Sequence, residues 1–100
     1  MDITISSRHA DLSDALAATT RQKLTRLNRF GREMERAEVH FYEEQNPRIV
    51  DREVCEVSLV GHGHQLRCKV AAPDGFVAVD RAVEKLEHQL HRLKRRPSHG

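Results

Sequence analysis

DGFVAVDRAVEKLEHQLHRLKRR, from Asp74 to Arg96, decides the fold, because one helical length carries two opposed stripes. Phe76, Val79, Val83, Leu86, Leu90 and Leu93 recur at intervals of three and four. Arg81, Lys85, His88 and Arg92 keep the same spacing and lead into Arg95 and Arg96. At about 100° per residue the two sets lie on opposite faces of one helix. The apolar face needs a second layer to cover it, so the basic face must look outward. An outward row of fixed positive charge is a surface suited to phosphates.

Upstream of this helix the period changes from helical to alternating. Cys55, Val57 and Leu59 share one face of a strand over Glu53 to Val60, and Leu66, Cys68 and Val70 share one over Gln65 to Ala71. Gly61-His62-Gly63 between them makes a β-hairpin. The register is open by a step of two, with Cys68 opposite either Cys55 or Val57. Ala37, Val39 and Phe41/Tyr42 alternate with polar residues over Arg36 to Gln45, a strand that Asn46-Pro47-Arg48 breaks. Ile3 and Ile5 mark a short first strand. Ser13 is the expected N-cap of a helix running to about Asn28, with Leu12, Leu16, Thr20, Leu24 and Leu27 as its buried stripe and Gly31 as its stop. Lys23, Arg26 and Arg29 lie along one flank of that helix. Asp74 caps the last one.

Strand, helix, three strands, helix is an α+β order. The strand–helix–strand start favours a right-handed crossover between parallel strands, and the later strands meander antiparallel. Both helices have a single apolar stripe, so the economical arrangement is two layers: a four-stranded mixed sheet with both helices on one face. The other sheet face is then solvated.

The chain has 100 residues, room for one domain with one thin core. Seventeen basic and 15 acidic residues leave a net charge of +2. That small total conceals asymmetry. Acidic residues gather between Glu33 and Glu56, whereas Arg and Lys crowd the helices, which favours an anionic partner on one face. No apolar run approaches the roughly 18–20 residues needed to cross a bilayer. Met1-Asp2-Ile3-Thr4-Ile5 opens directly on a strand without a signal-peptide layout, and Cys55 and Cys68 read as reduced core thiols, so a cytoplasmic location and no membrane partner are expected.

Catalysis finds no support in the spacing. Neither Cys-x-x-Cys, His-Glu-x-x-His nor a glycine-rich phosphate loop occurs, and His62 and His64 read as solvated turn residues. The chain is therefore expected to be no enzyme and to need no metal or cofactor. Nucleic-acid binding is the stronger class. The row Arg81, Lys85, Arg92 contains no acid, Arg92-Leu93-Lys94-Arg95-Arg96 concentrates charge, and Lys23, Arg26 and Arg29 could merge with both across the helical layer. Few aromatics are available for stacking on bases, so shape and backbone recognition of folded RNA fits better than single-strand reading. The sheet side, mainly acidic and partly apolar, would stay clear of the RNA. A third class, a protein-interaction module, would use the sheet face or a strand edge near Glu43 to Asp51.

Ile3-Thr4-Ile5-Ser6-Ser7-Arg8-His9, Leu12-Ser13-Asp14-Ala15-Leu16 and Lys23-Leu24-Thr25-Arg26-Leu27 resemble the start of the ribosome hibernation-promoting factor and ribosome-associated inhibitor family. Gly75-Phe76-Val77-Ala78-Val79-Asp80 and Lys85-Leu86-Glu87-His88-Gln89-Leu90-His91-Arg92-Leu93-Lys94 resemble its last helix. The resemblance covers nearly the whole chain. It implies a β-α-β-β-β-α fold similar to double-stranded-RNA-binding domains. It also implies binding to the 30S subunit and 70S ribosome through 16S rRNA, in the channel of mRNA and the A- and P-site tRNAs. Translation would be inhibited by occlusion, as part of a stress or stationary-phase response. The family's rRNA-contacting residues correspond to Lys23, Arg26, Lys85, Arg92 and Lys94, with Arg8 in the matching Arg-His step; Arg29, Arg81, Arg95 and Arg96 join them from the helical wheel alone. A general double-stranded-RNA binder is the alternative. Two departures stand out. Gly75-Phe76 replaces the more usual Met-Tyr, and Leu66-Arg67-Cys68-Lys69 is more basic than the family pattern. Residues 1–96 form the expected ribosome-binding domain. Pro97-Ser98-His99-Gly100 reads as a tail or as the start of a linker, which in long members leads to a dimerising C-terminal domain.

Overall fold

The computed structural model describes residues 1–8, 12–30, 34–61 and 63–95, apart from the side chains of 29, 30, 94 and 95. Its elements run β1 (Asp2–Ser7), α1 (Asp14–Thr25), a 3-10 turn (Arg26–Phe30), β2 (Arg36–Glu43), β3 (Glu53–Gly61), β4 (His64–Ala72) and α2 (Gly75–Arg95). The strands form one sheet in the order β1-β2-β3-β4. β1 and β2 are parallel, with Ile3 beside Ala37 and Ile5 beside Val39. β2–β3 and β3–β4 are antiparallel. This is the expected mixed sheet, with the helical crossover placed between its parallel pair.

Period-2 patterning sends one residue set of each strand under the helices. Ala37, Val39, Phe41, Cys55, Val57, Leu59, Val70 and Ala72 are buried there against Leu24, Leu27, Val79, Leu86 and Leu90. Each large aliphatic buried this way contributes roughly 1.5–3 kcal/mol. Ser13 caps α1, its hydroxyl accepting from the Leu16 amide at 3.0 Å. The Asp74 carboxylate does the same for α2, accepting from the Val77 amide at 2.9 Å. Both are the caps expected, and each leaves one fewer orphan amide at a helix start.

Boundaries and one core residue differ from expectation. α1 stops at Thr25 and the chain tightens into a 3-10 turn, which still buries Leu27; Gly31, the expected stop, lies outside the described residues. β2 ends at Glu43, two residues early. Phe76 is 44% exposed, while Ala78 and Ala82 are fully buried. The apolar stripe of α2 is thus centred on Ala78, Val79, Ala82, Val83, Leu86 and Leu90. Phe76 falls on the margin of that face, in the first turn.

The hairpin register places Cys68 opposite Val57 and Cys55 opposite Val70, so the two thiols are diagonal neighbours and both are free. Burial, with smaller contributions from Cys68 and Glu56, pushes the Cys55 thiol up to about 12. Burial raises Cys68 as well. Protonated thiols in this setting are packing groups.

Helix side chains occupy individual carbonyls on both outer strands of the sheet. Arg21 of α1 donates to the Ile3 carbonyl of β1 at 3.1 Å. On β4, Arg81 donates to the Ala71 carbonyl at 2.8 Å and Gln89 to the Arg67 carbonyl at 3.1 Å. Occupied edge carbonyls discourage strand addition. The β2–β3 connection is closed by the Glu44 amide on the Arg52 carbonyl at 2.6 Å, so Glu43 to Asp51 forms the end of a hairpin and not a bare edge.

Candidate nucleic-acid interface

The two flanks of α2 differ in charge. Arg81, Lys85, Gln89 and Arg92 follow one another at helical spacing, and the contacts of Arg81 and Gln89 turn this row toward β4. Asp80, Glu84 and Glu87 form a second row at intervals of four and three. Lys23 of α1 meets this row at Asp80, Nζ to Oδ1 2.6 Å, which fixes it on the α1 side. An acidic row therefore stands between the cations of α1 and those of α2. The expected merging of the two sets across the helical layer is not what the fold builds.

Lys85 and Arg92 are exposed, and among the described residues neither has an ion-pair partner. Arg81 is exposed but tethered, 3.3 Å from the Asp51 carboxylate as well as bonded to Ala71. Lys23 is half-buried in its pair with Asp80. Arg26 is exposed at the start of the 3-10 turn, where the geometry has left the α-helical row of Lys23. The side chains of Arg29, Lys94 and Arg95, and all of Arg96, lie outside the described residues.

Arg8 is placed apart from all of these. It follows β1 on the open sheet face, with its guanidinium carbon 5.2 Å from the centre of the Tyr42 ring. Lys69 of β4 approaches the same ring at 6.0 Å. The Tyr42 hydroxyl raises the pKa of that lysine through a hydrogen bond, with further help from Glu56 and Glu44. His40 lies 5.6 Å from Tyr42 and shares a 2.8 Å hydrogen bond with the Ser6 hydroxyl. The open face holds a shallow concavity of about 640 Å³ lined by Thr4, Ser6, Glu38, His40, Glu56, Ser58, Arg67 and Lys69, among others. It is mixed in charge, not mainly acidic as expected. Arg67 and Lys69, singled out in the sequence only as an excess of positive charge, supply the difference.

A second, smaller cleft of about 450 Å³ lies between β4 and the end of α2, lined by Leu66, Gln89, Arg92 and Leu93. Its partly buried leucines form an apolar floor beside a cationic rim.

These features define a small two-layer α+β domain with one cationic helix flank, and no group of three His, Cys, Asp or Glu side chains is placed to hold a metal ion among the described residues. No helix among them is long and apolar enough to cross a membrane. The chain belongs to the family described as sigma 54 modulation protein / S30EA ribosomal protein, which it matches over residues 3–98. It is 33% identical over 98 residues to the ribosome hibernation promotion factor of Mycobacterium tuberculosis (strain ATCC 25618 / H37Rv), covering 95% of this chain and 44% of that protein. The chain thus spans less than half the length of that relative. The Thermus thermophilus Protein Y N-terminal domain is similar at a TM-score of 0.77 and 27% identity, over 93% of this chain and 99% of that one. A ribosomal subunit interface protein from Coxiella burnetii shares the fold at a TM-score of 0.82 and 22% identity, over 96% and 100% of the two chains.

Proposed function

We propose that this chain is the ribosome-binding domain of a cytoplasmic hibernation factor, gripping 16S rRNA of the small subunit at the decoding channel. Occupying the mRNA and A- and P-site tRNA positions, it would inhibit translation by occlusion and without chemistry. The observation that carries the reading is the outward row on α2, in which Lys85 and Arg92 are exposed and have no protein counter-charge among the described residues. Cations without a protein partner can displace counterions from a phosphate backbone without first breaking an internal ion pair. Family membership and the relative in Mycobacterium tuberculosis, whose name is ribosome hibernation promotion factor, support the choice of ribosomal RNA over RNA in general.

Co-sedimentation with purified 30S and 50S subunits across a salt series tests the reading. Retention on 30S that weakens steeply as salt rises, and that survives excess duplex RNA, is the expected result. Loss to the duplex competitor would favour the general double-stranded-RNA binder, and no retention at low salt would remove the ribosomal reading.

A further inference from the structure

From the cleft between β4 and α2, we infer that the RNA-binding surface continues over the β4 edge and that Arg67 is a phosphate contact. This rests on the ribosomal reading for its physiological ligand, but its chemistry is that of any ribose–phosphate backbone. β4 is the last strand of the sheet, so nothing beyond it separates the helix side from the open face. Gln89 donates to the Arg67 carbonyl at 3.1 Å, which brings the backbone of Arg67 level with the middle of the α2 cation row. Lys85 and Arg92 flank Gln89 by four and three residues and share its side of the helix.

Arg67, Lys85 and Arg92 are all exposed, and none has an ion-pair partner among the described residues. Three other arginines are engaged: Arg36 with Glu38, Arg52 with Glu43 and, on α2 itself, Arg81 with Asp51. Arg67, Lys85 and Arg92 thus place three unpaired cations around the β4 edge, while Arg8, Arg21, Arg26 and Arg48, also without an ion-pair partner among the described residues, lie elsewhere. Between them the cleft offers Leu66 and Leu93 as an apolar floor for a ribose, with Arg92 on its rim. A backbone laid across β4 would meet Lys85 and Arg92 on the helix side and the Arg67 guanidinium as it turns toward the open face. Arginine there can bind a phosphate through two parallel hydrogen bonds. Glu38 and Glu56 share the open-face concavity with Arg67, so RNA is expected to stop at its β4 rim.

The test compares the unaltered chain with Arg67→Glu, Arg67→Gln and Arg48→Glu, the last an equal charge change on the β2–β3 loop. Affinity for 30S subunits and for a generic RNA duplex is measured across a salt series, with thermal unfolding confirming that each variant folds. Arg67→Glu is expected to weaken binding by on the order of tenfold or more, with Arg67→Gln between it and the unaltered chain. The slope of log affinity against log salt should fall by about 1. Arg48→Glu should stay within about twofold. Equal affinity and slope for Arg67→Glu and the unaltered chain would overturn the inference, as would an equal loss in Arg48→Glu. If the unaltered chain binds duplex RNA but not 30S, the ribosomal reading fails alone, and the Arg67 comparison on the duplex still decides. Binding to neither RNA overturns both.

Discussion

Lys23 on α1 and Asp80 on α2 are joined across the helical layer, Nζ to Oδ1 2.6 Å, with Asp80 60% exposed and Lys23 27% exposed. The pair marks the side of α2 that faces α1: the buried stripe sets the helix rotation, with the acidic row toward α1 and the cationic row toward β4. It also neutralises one of the lysines expected to touch RNA. Partly exposed pairs of this kind contribute little to stability. A double-mutant cycle of Lys23→Ala and Asp80→Ala should return a coupling of about 0.2–1 kcal/mol that shrinks as salt is added. A salt-independent coupling well above that range would mean the pair is desolvated.

Reversing the charge of Lys85 and Arg92 together should abolish 30S association and leave the far-UV circular dichroism and unfolding midpoint essentially unchanged. Both side chains are exposed, and their replacement breaks no hydrogen bond or ion pair among the described residues. A collapse of the helical signal would show instead that these positions are structural.

Leu86 and Phe76 provide a contrast within one helix. Leu86 is fully buried, and Leu86→Ala should cost about 2–5 kcal/mol through lost burial and a cavity. Phe76, 44% exposed, should lose less than about 1.5 kcal/mol on change to Ala. Urea midpoints of the two variants decide it, and similar losses would count against the helix rotation described.

Gly75 is close-packed against α1. A Cβ there would stand 2.7 Å from Leu16 Cδ2, so Gly75→Ala must displace the end of that side chain. A loss of about 1 kcal/mol is expected, and combining it with Leu16→Ala should relieve about 0.5–1 kcal/mol relative to additivity. Additive losses would show that the leucine does not limit the approach.

The Cys55 thiol gives stability a pH dependence with a definite sign. Its ordinary value of 9.0 is raised to about 12 in the folded chain, so above pH 9 the unfolded chain sheds a proton that the folded one keeps. The contribution is whole below pH 9 and is lost by roughly 1.4 kcal/mol per pH unit on the way up to 12. Denaturant unfolding of the parent and of Cys55→Ala, compared over that interval, should show the parent falling more steeply. Parallel curves would mean that the thiol titrates alike in both states.

Element order, the two caps and the main inward alternation of the strands were legible in the sequence because each is a local property, although Phe41 and Tyr42 were not told apart. Ser13 and Asp74 cap whatever helix follows them, and the alternation in Cys55, Val57 and Leu59 assigns faces without any knowledge of neighbours. The outward direction of Lys85 and Arg92 followed from the same periodicity. Tertiary packing decided the rest. Whether Cys68 faced Cys55 or Val57 depended on hairpin register, and the exposure of Phe76 depended on what packs beside the first turn of α2. Above all, a helical wheel gives directions about one axis but does not say which neighbour lies on each side. Only the packed structure set Asp80 against α1 and Gln89 against β4, and this turned the cation row away from Lys23 and toward Arg67.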